Sequence, residues 1–408
     1  WGQWFGLCKS YGNFPVCGSF DNPSGFSACL TMGYSFVLYF IQEENVYKRI
    51  TMMISLIIVI GAVLISGSRT GIIAIILVSI LWVAGGYKKL RLRYKRAIII
   101  IVCFVIIQLF IFLYLLRIES ADGRILIWIN TWCMFKDNPL VGLGRGAFTA
   151  KYMLYQADYF KNNPNSCFSQ LADNVNHPFN EYLLILVEYG LIGIFILFLG
   201  IIFLFYYYNN NKNKESFVAL MSLVSIGISS CFSYPFRYPF TWIILIVGCV
   251  IIVRAFYLIQ MFEPFSIRIF SFVLLIFCII FSIREYTMLK AELAWTRAAQ
   301  MALWKEKDLV IIEYERLNNK LWSNPLFLYN YSVELNIAQR FEESLFVAEK
   351  CAERYNDYDL QLLIAGNLMN LKRYNEAEIH YKLASYVSKS FYPFILHLSD
   401  IEFDESEK

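Results

Sequence analysis

The chain has 408 residues, of which 58% are hydrophobic, 18% aromatic and only 17% charged, with a formal net charge of +4. That balance excludes a soluble globular enzyme of ordinary composition, and the small positive charge gives no grounds for a nucleic-acid partner. It points instead to a helical membrane protein.

In chain order, apolar runs approaching or exceeding the ~18-residue spanning length fall at about 24–41, 50–66, 70–86, 97–116, 182–207, 216–233, 240–260 and 267–283. Eight such runs in series predict an all-α, polytopic fold with about eight spans. Between the third and fourth lies "YKKLRLRYKR", which reads either as an anionic-lipid or nucleic-acid patch or as a cytoplasmic topology signal. With that loop inside, Lys48, Arg49, Lys212, Lys214 and Arg268 also fall inside. Residues 1–23, the tight turn at Arg69, the long segment 117–181, the "YPFRYP" turn and everything after about 284 fall outside. Because the chain starts at Trp1 behind what reads as the tail of an outer loop, further spans are expected upstream.

The domain boundaries expected are 1–284 for the membrane part, with 117–181 as its large outer loop, and 285–408 for a helical repeat region. Within the tail, "RFEESL" (340–345) and "RYNEAE" (373–378) recur 33 residues apart, close to the tetratricopeptide period. Tyr331 and Ile364 share an offset, and so do the small residues Ser344 and Ala377, which suit helix packing. Stacked helix pairs of that kind bind proteins or peptides and imply no catalysis. An ordinary helical bundle is the plainer reading. In the outer loop Asp122 is expected to cap a helix running from near Gly123 to before Pro139. Ile125, Trp128, Ile129, Trp132 and Phe135 then form one apolar face suited to the membrane interface.

Few residues remain to carry chemistry. Of three histidines, His177 sits just before the fifth span on the outer face, and a near-neutral imidazole there can take a proton from a hydroxyl. An interfacial histidine without a catalytic task is the plainer reading. Arg69 alone reads as a snorkelling anchor, yet arginines accumulate inside and this one lies outside. Arg124 and Arg237 share its side of the membrane. A planar, permanently charged guanidinium suits phosphate oxygens, so three converging arginines would cradle a diphosphate. Arg145, in "GLGRG" (142–146), is either a further phosphate contact or a solvated turn residue. The glycines around it lack the spacing of a nucleotide loop. Glu181 and Glu188, at the start of the fifth span, are candidate supports for the site. Cys8 with Cys17, or Cys133 with Cys167, could pair on an oxidising side. No Cys/His spacing suggests a metal.

The order of three motifs resembles the O-antigen ligase and polymerase superfamily. These are "GSRTG" between two spans, "GRILIW…NPLVGLGRGAF" in the outer loop, and "HPFNEYLLILVEYGLIG" entering a span. The likeness runs over roughly 18–260, beginning with "GSFDNPSGFSACL" (18–30). The resemblance implies a multi-pass enzyme of the bacterial inner membrane that uses polyprenyl-diphosphate-linked glycans on the periplasmic side, without metal, cofactor or nucleotide, and inverts the anomeric centre. It assigns diphosphate binding to Arg69 and Arg124 and the base to His177. This chain departs from the family in having Pro178 after the histidine, with the asparagine later at Asn180. The acceptor would be a glycolipid, another lipid-linked glycan or a protein, and the repeats would offer a surface for a protein partner. A transporter or flippase is the competing reading. It predicts charged or broken helices at mid-membrane, and the spans here are almost free of charge.

Overall fold

The computed structural model describes residues 2–9, 16–41, 45–86, 118–210, 212–253, 264–302 and 307–387. All regular structure among them is helical. The expected fourth span and the basic loop before it lie outside the described residues. Contacts divide the chain into two units, residues 1–124 with 177–260, and residues 125–176 with 261–408.

The first unit contains α1 (Pro23–Phe40), α2 (Val46–Ser66), α3 (Arg69–Gly86), α6 (Glu181–Asn210), α7 (Lys214–Ser230) and α8 (Pro239–Val253). Asparagine starts four of these helices by capping free backbone N–H groups. Asn22 accepts from Gly25 N, Asn45 from Tyr47 N and Lys48 N, Asn180 from Tyr182 N and Leu183 N, and Asn213 from Ser216 N. The "GSRTG" motif is a tight helix-to-helix corner. Gly67, at φ 65°, closes α2 in the left-handed region that a side chain would resist. Ser68 Oγ then accepts from Gly71 N to open α3.

Three described helices are long and apolar enough to cross a membrane: α2, α6, and residues 268–301 of a later helix. The apolar stretches 69–83 and 239–253 are shorter. The expected first and sixth spans form as α1 and α7 but fall short of that test. Their hydroxyls turn inward: Ser27, Thr31 and Ser35 on α1, and Ser222, Ser225 and Ser229 on α7, are all fully buried. Small polar residues let helix backbones approach closely, and the hydroxyls of Ser27 and Thr31 donate locally to Ser24 O and Ala28 O. Ser222 Oγ donates to Met32 O across the α1–α7 interface. The lipid-facing helices do the reverse, leaving Ile57 70% and Ile196 63% exposed, which is tolerable only in hydrocarbon.

The second unit contains α4 (Ile118–Asp137, apart from its first turns), α5 (Ala147–Asn162), α9 (Pro264–Met301) and α10 (Lys307–Leu321). Helices α11 (Pro325–Ile337), α12 (Phe341–Ala352), α13 (Tyr358–Asn370) and α14 (Tyr374–Val387) complete it. The boundary expected at 284/285 falls inside α9, which runs unbroken from Pro264 to Met301. Ala291 and Ala298, beyond that boundary, already belong to the repeat core.

Two helix pairs follow one another at an offset of 33 residues, starting at 325 and 358 and at 341 and 374. The corners between paired helices are alike too, with Gln339 at φ 62° and Lys372 at φ 63°. Arg340 bonds Glu343 and Arg373 bonds Glu376. Tyr331, Ile364, Ser344 and Ala377 are all buried. A polar ladder links the layers, since Asn336 donates to Asn367 and Asn367 donates to Ser344.

Helix α5 also docks on this stack. Asn356 N donates to Thr149 O at 3.0 Å, and Thr149 Oγ1 donates to Arg354 O at 3.0 Å.

The loop helix differs from expectation in two ways. It starts at Ile118, so Asp122 lies within it and does not cap it. Its buried residues are Leu126, Ile127, Asn130, Thr131 and Met134, while Ile125, Ile129 and Trp132 of the predicted apolar face are exposed. Leu126 packs with Phe160 of α5 and with Ala172, and these long-range partners decide which side is covered. The nine described cysteines are all free, so neither of the two candidate pairs is bonded.

Candidate functional site

The candidate site occupies one end of the first unit, where α1, α3, α6 and α8 all begin. Arg69 is the first residue of α3, and its Nη2 donates to Ser120 Oγ of α4 at 3.0 Å. One turn further along α4, Arg124 lies over the ring of Phe179, 5.4 Å from its centroid. Burial, together with the neighbouring Arg69 charge, lowers the Arg124 guanidinium to about 10. It is still a cation at neutral pH, and its crowding against Arg69 is relieved by any bound anion.

His177 stands four residues ahead of α6. Its ring stacks on Tyr234 with centroids 4.6 Å apart, and its Nε2 lies 3.3 Å from Arg237 Nη1. Burial and the Arg237 charge hold the imidazole down at about 4, against a weaker opposing pull from Asp21. His177 is therefore neutral across the physiological range. Between it and the helix sits Phe179 at φ 53°, a left-handed conformation that a bulky residue adopts only under constraint. The strained residue puts its ring within 5.4 Å of both the Arg124 guanidinium and the Tyr234 ring centroid.

The "YPFRYP" turn supplies the remaining wall. Pro235 and Pro239 bracket a short 3-10 turn and the start of α8. Glu181 is buried and its Oε1 accepts from Phe236 N at 3.2 Å, while Trp242 Nε1 donates to Phe236 O at 2.8 Å. Arg237, fixed on this turn, reaches Asp21 at 3.4 Å as well as His177. Asp21 also accepts from the hydroxyls of Tyr234 and Tyr238. Burial and the Asp21 carboxylate push the Tyr234 phenol up to about 12, so it stays protonated at neutral pH. From Glu181 and Phe236 an apolar cavity of about 570 Å³ runs along α6, past Gly200, to Leu223 and Cys249.

The structure thus gathers Arg69, Arg124, His177, Arg237 and Glu181 at one end of the unit. Glu188 lies two turns into α6, and Arg145 lies in the second unit, exposed in the turn ahead of α5. All three glycines of that turn have positive φ, which fits a turn and not a nucleotide loop. Sequence reasoning missed Asp21, Phe179, Tyr234 and Tyr238. The two tyrosines were on view in "YPFRYP", and their placement either side of one arginine was the available signal. Among the described residues no three His, Cys, Asp or Glu side chains group as metal ligands would.

Residues 54–198 match the family model described as O-antigen ligase. No curated protein and no solved structure gives a significant match to the chain. The matched segment contains Arg69, Arg124 and His177 but not Asp21 or the "YPFRYP" turn. The match bears out the resemblance to the O-antigen ligase superfamily and supports a ligase-like, glycan-transferring role in polysaccharide biosynthesis at a membrane.

Proposed function

We propose that this O-antigen ligase-like chain transfers a glycan from a polyprenyl-diphosphate carrier to an acceptor hydroxyl at the periplasmic face of a bacterial inner membrane. The observation that carries the reading is the gathering of three arginines around a neutral histidine where four helices begin. Arg69 and Arg124 crowd each other, and a diphosphate would turn that repulsion into attraction. The apolar cavity opening beside Glu181 and Phe236 offers the carrier's hydrocarbon a path alongside the site.

In the reaction, the acceptor oxygen attacks the anomeric carbon from the face opposite the diphosphate. The new carbon–oxygen bond forms as the bond to the phosphate oxygen breaks, and the anomeric centre inverts. The bonding electrons leave with the diphosphate, whose growing charge the preplaced guanidinium groups stabilise. The acceptor proton passes to His177. The chain's own side chains supply the charge stabilisation and the proton transfer, so no metal or cofactor enters this scheme.

The test is transfer from a lipid-diphosphate-linked oligosaccharide in membranes. Arg69→Ala and Arg124→Ala should each lower turnover by about 10²- to 10³-fold, and His177→Ala by a factor of about 10² or more. Unchanged activity in all three variants would overturn the assignment. Product analysis identifies the acceptor as lipid A-core, lipid-linked repeat or protein hydroxyl. The helix-pair stack, read as a tetratricopeptide-like surface, supports a protein partner.

A further inference from the structure

Arg237 meets His177 in a way that bears on when the histidine can act. A guanidinium only donates hydrogen bonds, so at the 3.3 Å contact Nε2 of His177 must be the acceptor. The ring's proton is then on Nδ1. A neutral imidazole has one basic nitrogen, and here that nitrogen faces a cation. The other tautomer would aim an N–H at a group with no lone pair. With Nε2 engaged in this way, His177 cannot take a proton until Arg237 moves.

The neighbours of Arg237 show what holds it in place. Asp21, from the loop that leads into α1, lies 3.4 Å from Nη1. The same carboxylate accepts from Tyr234 and Tyr238, which flank Arg237 in the turn. Asn22, next to Asp21, donates to Tyr234. The carboxylate is therefore tied to the turn on both sides of the arginine. The other charged groups nearby have partners of their own: Arg124 lies on Phe179, and Glu181 accepts from Phe236 N.

We propose that Asp21 is a positioning residue that holds Arg237 against Nε2 of His177 until the carrier binds, and that the carrier's diphosphate frees the imidazole by drawing Arg237 onto its own oxygens. The idea rests on the diphosphate site proposed above. It assigns Asp21 a part in the reaction without contact with substrate, and it makes the base available only when the leaving group is in place. A site so arranged keeps the imidazole from taking a proton from any hydroxyl until the leaving group is bound.

The experiment is a nitrogen-15 NMR titration of the full chain, labelled on histidine and held in nanodiscs, with inorganic diphosphate as the probe. The wild-type His177 signal should show the Nδ1–H tautomer and titrate well below an ordinary histidine. Saturating diphosphate should move the titration up by about one pH unit or more. Asp21→Asn gives the deciding sign. Asp21's charge by itself favours the imidazolium, so losing that charge with Arg237 left in place would lower the titration. Release of Arg237 would raise it. We expect a rise.

A fall or no change in Asp21→Asn would overturn the role of Asp21, as would the Nε2–H tautomer in the wild type. No response to diphosphate in either protein would overturn release by the anion together with the proposed function, and the variant arm separates that result from a failure of Asp21 alone. Should Asp21→Asn not assemble, Arg237→Gln answers the same question. Its His177 should titrate above the wild-type value, still held below an ordinary histidine by burial, and a titration unchanged from the wild type would overturn the masking. The His380 signal reports that the repeat unit is intact throughout.

Discussion

Gly71→Ala tests whether the corner before α3 sets the position of Arg69. A Cβ built on Gly71 would lie 2.5 Å from Ser27 Cβ, 2.8 Å from Ser27 Oγ and 2.9 Å from Val63 Cγ1. Carbon atoms pack best at about 3.5–4.0 Å, so α1 and α3 would have to part by roughly 1 Å. None of these atoms is the free end of a flexible chain. Ser27 is buried and donates to Ser68 Oγ at 2.6 Å, and Val63 is fully buried. Inserting a methyl into such packing costs about 1–3 kcal/mol. A shift of that size also moves Arg69, two residues away, relative to Arg124, and misplacement by about 1 Å can cost about 10²-fold in rate. The assays are thermal stability in nanodiscs and glycan transfer by the same preparation. Ser27→Gly should restore part of both in the double variant, because it removes the two Ser27 atoms in the way and leaves only Val63 Cγ1. A Gly71→Ala protein with native stability and native transfer would refute the tight corner and the link to Arg69.

Three further expectations concern other parts of the molecule. Tyr234→Phe keeps the ring stacked on His177 and loses only the hydroxyl, so it should retain more activity than Tyr234→Ala. The two should differ by up to about tenfold, since aromatic pairing contributes about 0.5–1.5 kcal/mol, and equal losses would show that the stack is irrelevant. In the substrate-free protein His177 is depressed to about 4 from 6.5, so the unfolded chain takes up its proton first as pH falls. Its contribution to stability is present above about 6.5 and is lost as pH drops toward 4. Thermal melts across that window should flatten in His177→Gln, and an unchanged slope would count against the depressed value. In the repeat unit, Ser344→Ala leaves Asn367 Nδ2 without the acceptor it has at 2.8 Å. The expected loss is about 1–3 kcal/mol, read as a lower chymotrypsin resistance of residues 307–387, while an equally resistant variant would argue against the ladder.

The site's charged members could be read from the sequence because charge is rare in this chain and its side of the membrane can be inferred. Arg69, Arg124, Arg237 and His177 stand out for that reason. Asp21 did not, because an acidic residue in a connecting loop looks solvated until the tyrosines that bond it are placed more than 200 positions later. The inward serines of α1 and α7 lower the apolarity of two helices that nevertheless sit among the spans, so hydropathy describes a lipid-facing helix better than a central one. In α4 the periodic stripe was real, but periodicity cannot say which side a distant partner such as Phe160 or Ala172 will cover. The 33-residue period was legible since it is written twice in the same register.

The docking of α5 on the helix pairs affects how this protein can be cut and recombined. Thr149 is bonded to the backbone at 354 and 356 through both its carbonyl and its hydroxyl. A truncation that removes the tail therefore also strips residues 125–176 of a docking contact, and any lost activity would not report on the tail alone. A chimera made by exchanging only residues after 285 would pair a foreign surface with the resident α5. The exchangeable cassette is discontinuous, 125–176 together with 261–408, and homologues that trade one part without the other should show compensating changes around Thr149 and Asn356.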